Sequence, residues 1–323
     1  MKQILSLYPE TYNKHIIHSE GRTWIETNCY TDVLVEQLHA LGHEPIAALP
    51  FTLRADCEGD QWTFFKFPHN DIFDLYGLDI QELAVWRPLL VHIEELVSAE
   101  RPAVLELDAW FLPDTSGSAY KLAHMKTTIS VNFIDIKNKK MGYFHNQGYY
   151  ELTGGDFTNI FQTEGLVHER MLPPYFEYIK REREVHLSER DLVEQSKIIL
   201  KRNFALIPKN NPFLSFKERF SRDLEWLLKE DVSVFHAYSF ATLRQFGACF
   251  ELTETYFRWL AEKENSDLSD IINAFQTISQ AAKTYQFQLA RAMARNRPLD
   301  LAPIDAMAAQ WQKGMNAIQE RLM

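Results

Sequence analysis

The feature that most constrains this chain is a change of pattern past its midpoint. Up to about residue 165, short β-like apolar runs alternate with helical stretches; from residue 188 onward only helical periodicity remains. In the first part, 103–110 reads as a strand, and 127–136 and 141–144 read as a hairpin around Lys137-Asn138-Lys139-Lys140. Two more short strands are expected at 51–53 and 62–67, either side of the polar loop 54–60. Helices are expected over 31–41, stopping at Gly42, over 71–76 and over 87–97. The last carries the stripe Leu89, Leu90, Ile93, Leu96 and Val97. Later, 188–191 and 215–218 have capping-box spacing, and 232–263, 268–295 and 303–322 are long periodic segments. The stiff break 172–175 and the charge run 180–184 lie where the pattern changes. The expected architecture is α+β over residues 1–170, followed by an all-α helical domain over 171–323.

Composition supports real cores. Of 323 residues, 46% are hydrophobic, and 22 Phe, 13 Tyr and 7 Trp exclude a disordered chain. The net charge of -10 speaks against nucleic acid as a partner. No apolar run reaches membrane-spanning length, and the opening Met1–Pro9 stretch is too short and too soon polar for a signal peptide, so no membrane partner is expected. The three cysteines, Cys29, Cys57 and Cys249, are an odd number without CxxC spacing. That favours reduced thiols in a cytoplasm over a disulfide framework. The histidines form no HxxxH or HExxH pair, so no metal and no cofactor is expected.

The chemistry centres on Asn28-Cys29-Tyr30, just ahead of the 31–41 helix. A thiol at a helix start meets unpaired N–H groups and the positive end of the helix dipole, which favour negative charge. His124 precedes the 127–136 strand, and His145-Asn146 ends the next. A helix-borne Cys, then a His at a strand start, then an Asn is the chain order of papain-like thiol enzymes. In that arrangement Cys29 is the nucleophile and His124 its partner. Asn146 or Asp108 orients the imidazole, and Asn28 or Gln61 adds an amide to the oxyanion donors. The blander reading of Cys29 is a buried core thiol. Asp108 to Asp114 reads either as a pocket rim or as an acidic cap beside a turn, and Glu58 to Trp62 either as a solvated turn or as a loop facing the thiol. Cys57 and Cys249 read as bystanders. Arg244 and Glu251, seven apart, share a helix face and suggest a buried ion pair rather than a substrate clamp.

Several motifs carry a resemblance. They are NCYTD (28–32), LHALG (38–42), EGDQWTFFKFP (58–68), DAWFLPDT (108–115), HMKTT (124–128), GYFHN (142–146), GYYE (148–151), ATLRQFG (241–247) and FEL (250–252). With them the chain resembles, over most of its length, an uncharacterised bacterial domain-of-unknown-function family. It is more distantly similar to the papain-like N-terminal domain of the butirosin-biosynthesis acyltransferase. Asp108, Leu112-Pro113, Tyr120 and His124 fit that order of residues. The distant relatives often carry a second histidine three residues after the first, where this chain has Thr127. Either His124 serves, or His145 substitutes, or the cysteine works without a standard base.

The resemblance implies a papain-like N-terminal domain and a cysteine-dependent acyl- or aminoacyltransferase. Its partners would be an acyl or aminoacyl carrier protein, which supplies the thioester, and a small-molecule amine acceptor. Cys29, His124 and Asn146 would be catalytic. Asn28, Gln61, Trp62, Asp108, Asp114, Tyr120, His145 and Arg244 would line the substrate site. The rival expectations are a non-catalytic papain-like binding protein, a thioesterase and a cysteine peptidase.

Overall fold

A computed structural model describes residues 2–19, 21–25, 28–162 and 174–323. The strands among these residues are β1 (Lys2–Gln3), β2 (Cys57–Glu58), β3 (Gln61–Trp62), β4 (Leu78–Glu82), β5 (Ala103–Asp108), β6 (Lys126–Asp135), β7 (Lys140–His145), β8 (Gly148–Thr153) and β9 (Phe176–Arg181). The fold is α+β, with an antiparallel sheet toward the N-terminus and an all-helical region toward the C-terminus. The chain divides into two compact units. The first comprises Met1–Ser19, Asn28–Pro45 and Pro68–His186; the second comprises Glu20–Thr27, Ile46–Phe67 and Leu187–Met323.

The first unit is built on a seven-stranded sheet of order β4-β9-β5-β6-β7-β8, with β1 also paired to β6. Helix α1 (Cys29–Ala40) packs on β6, β7 and β8, where Val33 meets Phe144 and Tyr149. Helices α2 (His69–Tyr76) and α3 (Leu89–Ser98) come next along this unit. Side chains from α3 and α4 (Gly154–Ile160) join Leu105, Ile129, Val131 and Tyr143 in a core that includes Leu90, Ile93 and Phe157. Strand alternation explains the split, since successive residues of β6 serve opposite faces. Ser130 Oγ reaches Gln37 on α1, while Ile129 and Val131 enter the α3–α4 core.

Strands β4, β8 and β9 have no counterpart among the expected elements. The interior of β9 holds Glu177, fully buried, whose two oxygens accept Tyr30 OH at 2.6 Å and Tyr175 OH at 2.5 Å. A core carboxylate satisfied by a near neighbour and by Tyr30, far away in sequence, erases the polar–apolar alternation that marks a strand.

The second unit contains α5 (Glu189–Phe204), α6 (Pro212–Leu227), α7 (Val232–Ser239), α8 (Gln245–Glu264), α9 (Ser269–Arg295) and α10 (Ala302–Leu322). A π-helical segment, Phe240–Arg244, links α7 to α8, so the single periodic run expected over 232–263 is interrupted. Ser215 does not start a helix: α6 begins at Pro212, with Asn211 Oδ1 accepting the Phe213 N–H at 3.1 Å. Proline at the first helical position sets that earlier start. Ser188 does cap α5, accepting the Asp191 N–H at 3.2 Å.

The strand expected at 51–53 is instead part of a 3-10 stretch, Pro45–Arg54, which contains Pro50. Proline lacks the N–H a ladder needs, and Ala47, Ala48, Leu49, Phe51 and Leu53 are all buried, so no period of two exists there. Of the 62–67 run only Trp62 pairs, with Cys57, while Phe65 and Phe67 are buried on irregular backbone. The break expected at 172–175 lies partly outside the described residues.

Candidate functional site

Cys29 opens α1, and Asn28 is its N-cap, with Oδ1 accepting the Thr31 N–H at 2.9 Å. That fixes the backbone at the thiol and occupies the Asn28 amide oxygen. Cys29 is half-buried, and its Sγ lies 3.5 Å from Thr128 Oγ1. This hydroxyl is the thiol's hydrogen-bonding partner among the described residues.

His124 does not meet the thiol. Its Nδ1 lies 2.6 Å from Asp108 Oδ2, and its ring stacks on Trp110 at 4.4 Å and 10° between planes. Asp108 Oδ1 also accepts the N–H groups of Trp110 (3.0 Å) and Met125 (3.3 Å). The carboxylate thus ties the end of β5 to the residues before β6 and orients the imidazole. Asp108 is thereby the N-cap of the 3-10 turn Ala109–Phe111. A cavity of about 450 Å³ opens beside it, lined by Leu89, Leu107, Phe111 and Ile160 and edged by Glu106, Asp108, His124 and Lys126. The His124 side chain is 69% exposed, and its Nε2 has no hydrogen-bond partner among the described residues.

His145 belongs to a separate buried chain. Its Nδ1 meets Asp114 Oδ2 at 2.5 Å and its Nε2 meets Thr127 Oγ1 at 2.7 Å. Tyr143 OH donates to the other Asp114 oxygen. Burial, then the Asp114 charge and hydrogen bond, push the Tyr143 hydroxyl well above its ordinary range. The side chains of both His145 and Asp114 are at most 4% exposed. Alternation on β6 decides the arrangement. Thr127, the position where the distant relatives carry their second histidine, points to His145, and Thr128 points to Cys29. Asp114 therefore ties its loop to β7. Asp114→Ala should lower stability by about 2–3 kcal/mol, the cost of stranding buried partners of a charged group. The alkylation rate of Cys29 in the folded protein should not change. Urea denaturation and peptide mass spectrometry check the two halves.

Asn146 is the left-handed residue of the β7–β8 turn, at φ 46°, and touches neither Cys29 nor His124. Tyr120 OH donates to Asp156 Oδ2 at 2.8 Å. The remaining expected site residues belong to the second unit. Gln61 is an exposed hairpin residue, whereas Trp62 is buried against Phe213, Phe216 and Phe246. The Arg244 guanidinium lies 5.4 Å from the centre of the Phe240 ring. The pairing expected between Arg244 and Glu251 is not what Glu251 makes: it receives Arg22 at 3.3 Å and the N–H groups of Thr23 and Trp24. Cys57 is buried, and burial with Asp56, Glu58 and Asp60 pushes its thiol up to about 11. Burial alone raises the fully enclosed Cys249 further.

Sequence reasoning missed a buried polar network on α1. His18 sits between Asp32, at 3.2 Å, and Glu36. Glu36 also accepts Tyr12 OH at 2.5 Å and the His15 N–H at 3.1 Å. The one available signal was the pair of acids on an otherwise apolar helix face, Asp32 and Glu36 being four apart. Among the described residues no cluster of three or more His, Cys, Asp or Glu side chains could hold a metal ion, and no helix is long and apolar enough to cross a membrane.

Compared with known families, residues 13–181 match the DUF1839 N-terminal domain and residues 189–320 match the DUF1839 C-terminal domain. No curated protein matches the chain.

Proposed function

The chain belongs to the DUF1839 family, and for it we propose cysteine-dependent acyl or aminoacyl transfer from a carrier-protein thioester to an amine. The observation that carries this reading is the half-buried Cys29 at the first turn of α1, a helix laid on an antiparallel sheet. The same arrangement supports a papain-like assignment for the first unit. Cys29 sulfur attacks the thioester carbonyl as its proton passes to the departing carrier sulfur, giving an acyl-enzyme and the free carrier thiol. The Cys29 N–H, unpaired at the helix start, is available to the oxyanion. The amine then attacks the acyl carbon, a proton passes from its nitrogen to His124 Nε2, and the C–S bond breaks. The exposed imidazolium releases that proton to water, and the freed Cys29 sulfur takes one up from water. Asp108 holds the imidazole in the required tautomer. A base serving the acceptor has to meet the acceptor nitrogen and need not touch the resting thiol. A thioester suits such a site because its leaving group departs easily. With water as acceptor the same residues make a thioesterase.

A specific observation favours a second reading. A threonine hydroxyl, not an imidazole, meets Cys29 Sγ, as in a binding protein that keeps the pocket without turnover. Incubation with an acyl thioester of N-acetylcysteamine separates the two. Acyl transfer predicts a mass gain on Cys29 that is absent in Cys29→Ala. In His124→Ala the discharge of the adduct to an amine should slow about 100-fold or more. No adduct with any acyl length would leave the binding-protein reading. Iodoacetamide at pH 7.5 should label Cys29 alone, because Cys57 and Cys249 are buried with raised thiols.

A further inference from the structure

We infer that the cavity beside Asp108 and His124 is a site for a primary amine carrying a compact apolar group. Only the fate of the bound amine rests on the acyl-transfer reading; the binding does not need Cys29. The volume, about 450 Å³, falls in the range of small-molecule sites. Leu89, Leu107, Phe111 and Ile160 supply an apolar wall for a ring or a short alkyl chain.

The rim selects charge. It holds two carboxylates, Glu106 and Asp108, against one ammonium, Lys126, which lies 2.7 Å from Glu106. Asp108 meets the His124 ring and two backbone N–H groups, and the backbone groups bring no charge of their own. A cationic amine reduces the excess, whereas a carboxylate of the same size meets like charge. The same rim presents the free Nε2 of His124, so an amine held there faces the group that accepts its proton. Recognition and activation of the amine therefore share one carboxylate, Asp108.

Titration calorimetry on Cys29→Ala tests the site, with 2-phenylethylamine and phenylacetate as probes. The amine should bind at least 10-fold tighter than the acid. Glu106→Gln and Asp108→Asn should each weaken amine binding several-fold. Lys126→Ala, which removes a competing cation, should strengthen it, and that gain is a result no loss of folding can produce. Equal affinity for amine and acid, no binding of the amine, or weakening by Lys126→Ala would overturn the inference. Amine binding together with an absent Cys29 adduct overturns only the transferase reading. A Cys29 adduct without amine binding overturns only the site.

Discussion

Raising the pH from 6.5 to about 9 should cost the first unit on the order of 3 kcal/mol of stability, with His18 as the source. Burial opposes the imidazolium, but hydrogen bonds and charge from Asp32 and Glu36 outweigh it and raise His18 to about 9 from an ordinary 6.5. A group with a raised folded value contributes in full below its unfolded value. That contribution is lost as the pH climbs through the folded one. The stabilisation is therefore complete below pH 6.5, declines from there upward and is gone above about pH 9. His18→Ala should remove this alkaline slope. It should also lower stability at neutral pH by about 3–5 kcal/mol, because two buried carboxylates on α1 lose their counter-charge. Urea midpoints of wild type and variant at pH 6.5, 8 and 9.5 decide the matter. Parallel slopes for the two proteins would refute the assignment. The network lies one turn from Cys29, so the same series shows whether α1 holds the thiol in place across the working pH of any transfer assay.

Trp62→Ala should destabilise the second unit by about 3–5 kcal/mol. The indole is 5% exposed, and its ring lies 5.2 Å from Phe213, 5.7 Å from Phe216 and 4.7 Å from Phe246. Removing it empties the centre of an aromatic cluster whose members come from a hairpin and two helices, α6 and α8, so the space cannot close cheaply. Thermal unfolding of purified variants measures the loss. Trp62→Phe should recover much of it and leave Cys29 alkylation unchanged. A Trp62→Phe variant of full stability that no longer takes up acyl groups would instead return Trp62 to a substrate role.

The sheet unit and the helical unit were legible to different depths. Helical periodicity spans many residues, so α9 and α10 stand out within a residue or two of their ends, and the capping box at 188–191 marks the start of α5. The hairpin β6–β7 was equally plain because its turn is polar and its flanks are β-branched and aromatic. The 46–67 stretch was not. Its buried residues follow no single period, and what orders them is contact with α6 and α8 far along the chain. The thiol at a helix start was readable from Asn28-Cys29 because capping is a local matter. The company that thiol keeps was not. Thr127 and Thr128 are neighbours of one residue type, and only the register of β6 against β5 and β7 decides which one faces Cys29 and which one His145.

By itself, then, the sequence determined the change from mixed to helical structure, the β6–β7 hairpin, the cap that presents Cys29, and Asp108 as one of two groups able to orient His124. These follow from interactions a few residues long or from patterns repeated along a helix. Tertiary structure alone decided that His124 turns to Asp108 and Trp110, that Asp114 serves Tyr143 and His145, and that Trp62 is a core residue. Those outcomes depend on strand register and on side chains meeting across more than a dozen residues, where a shift of one position exchanges the two faces of a sheet.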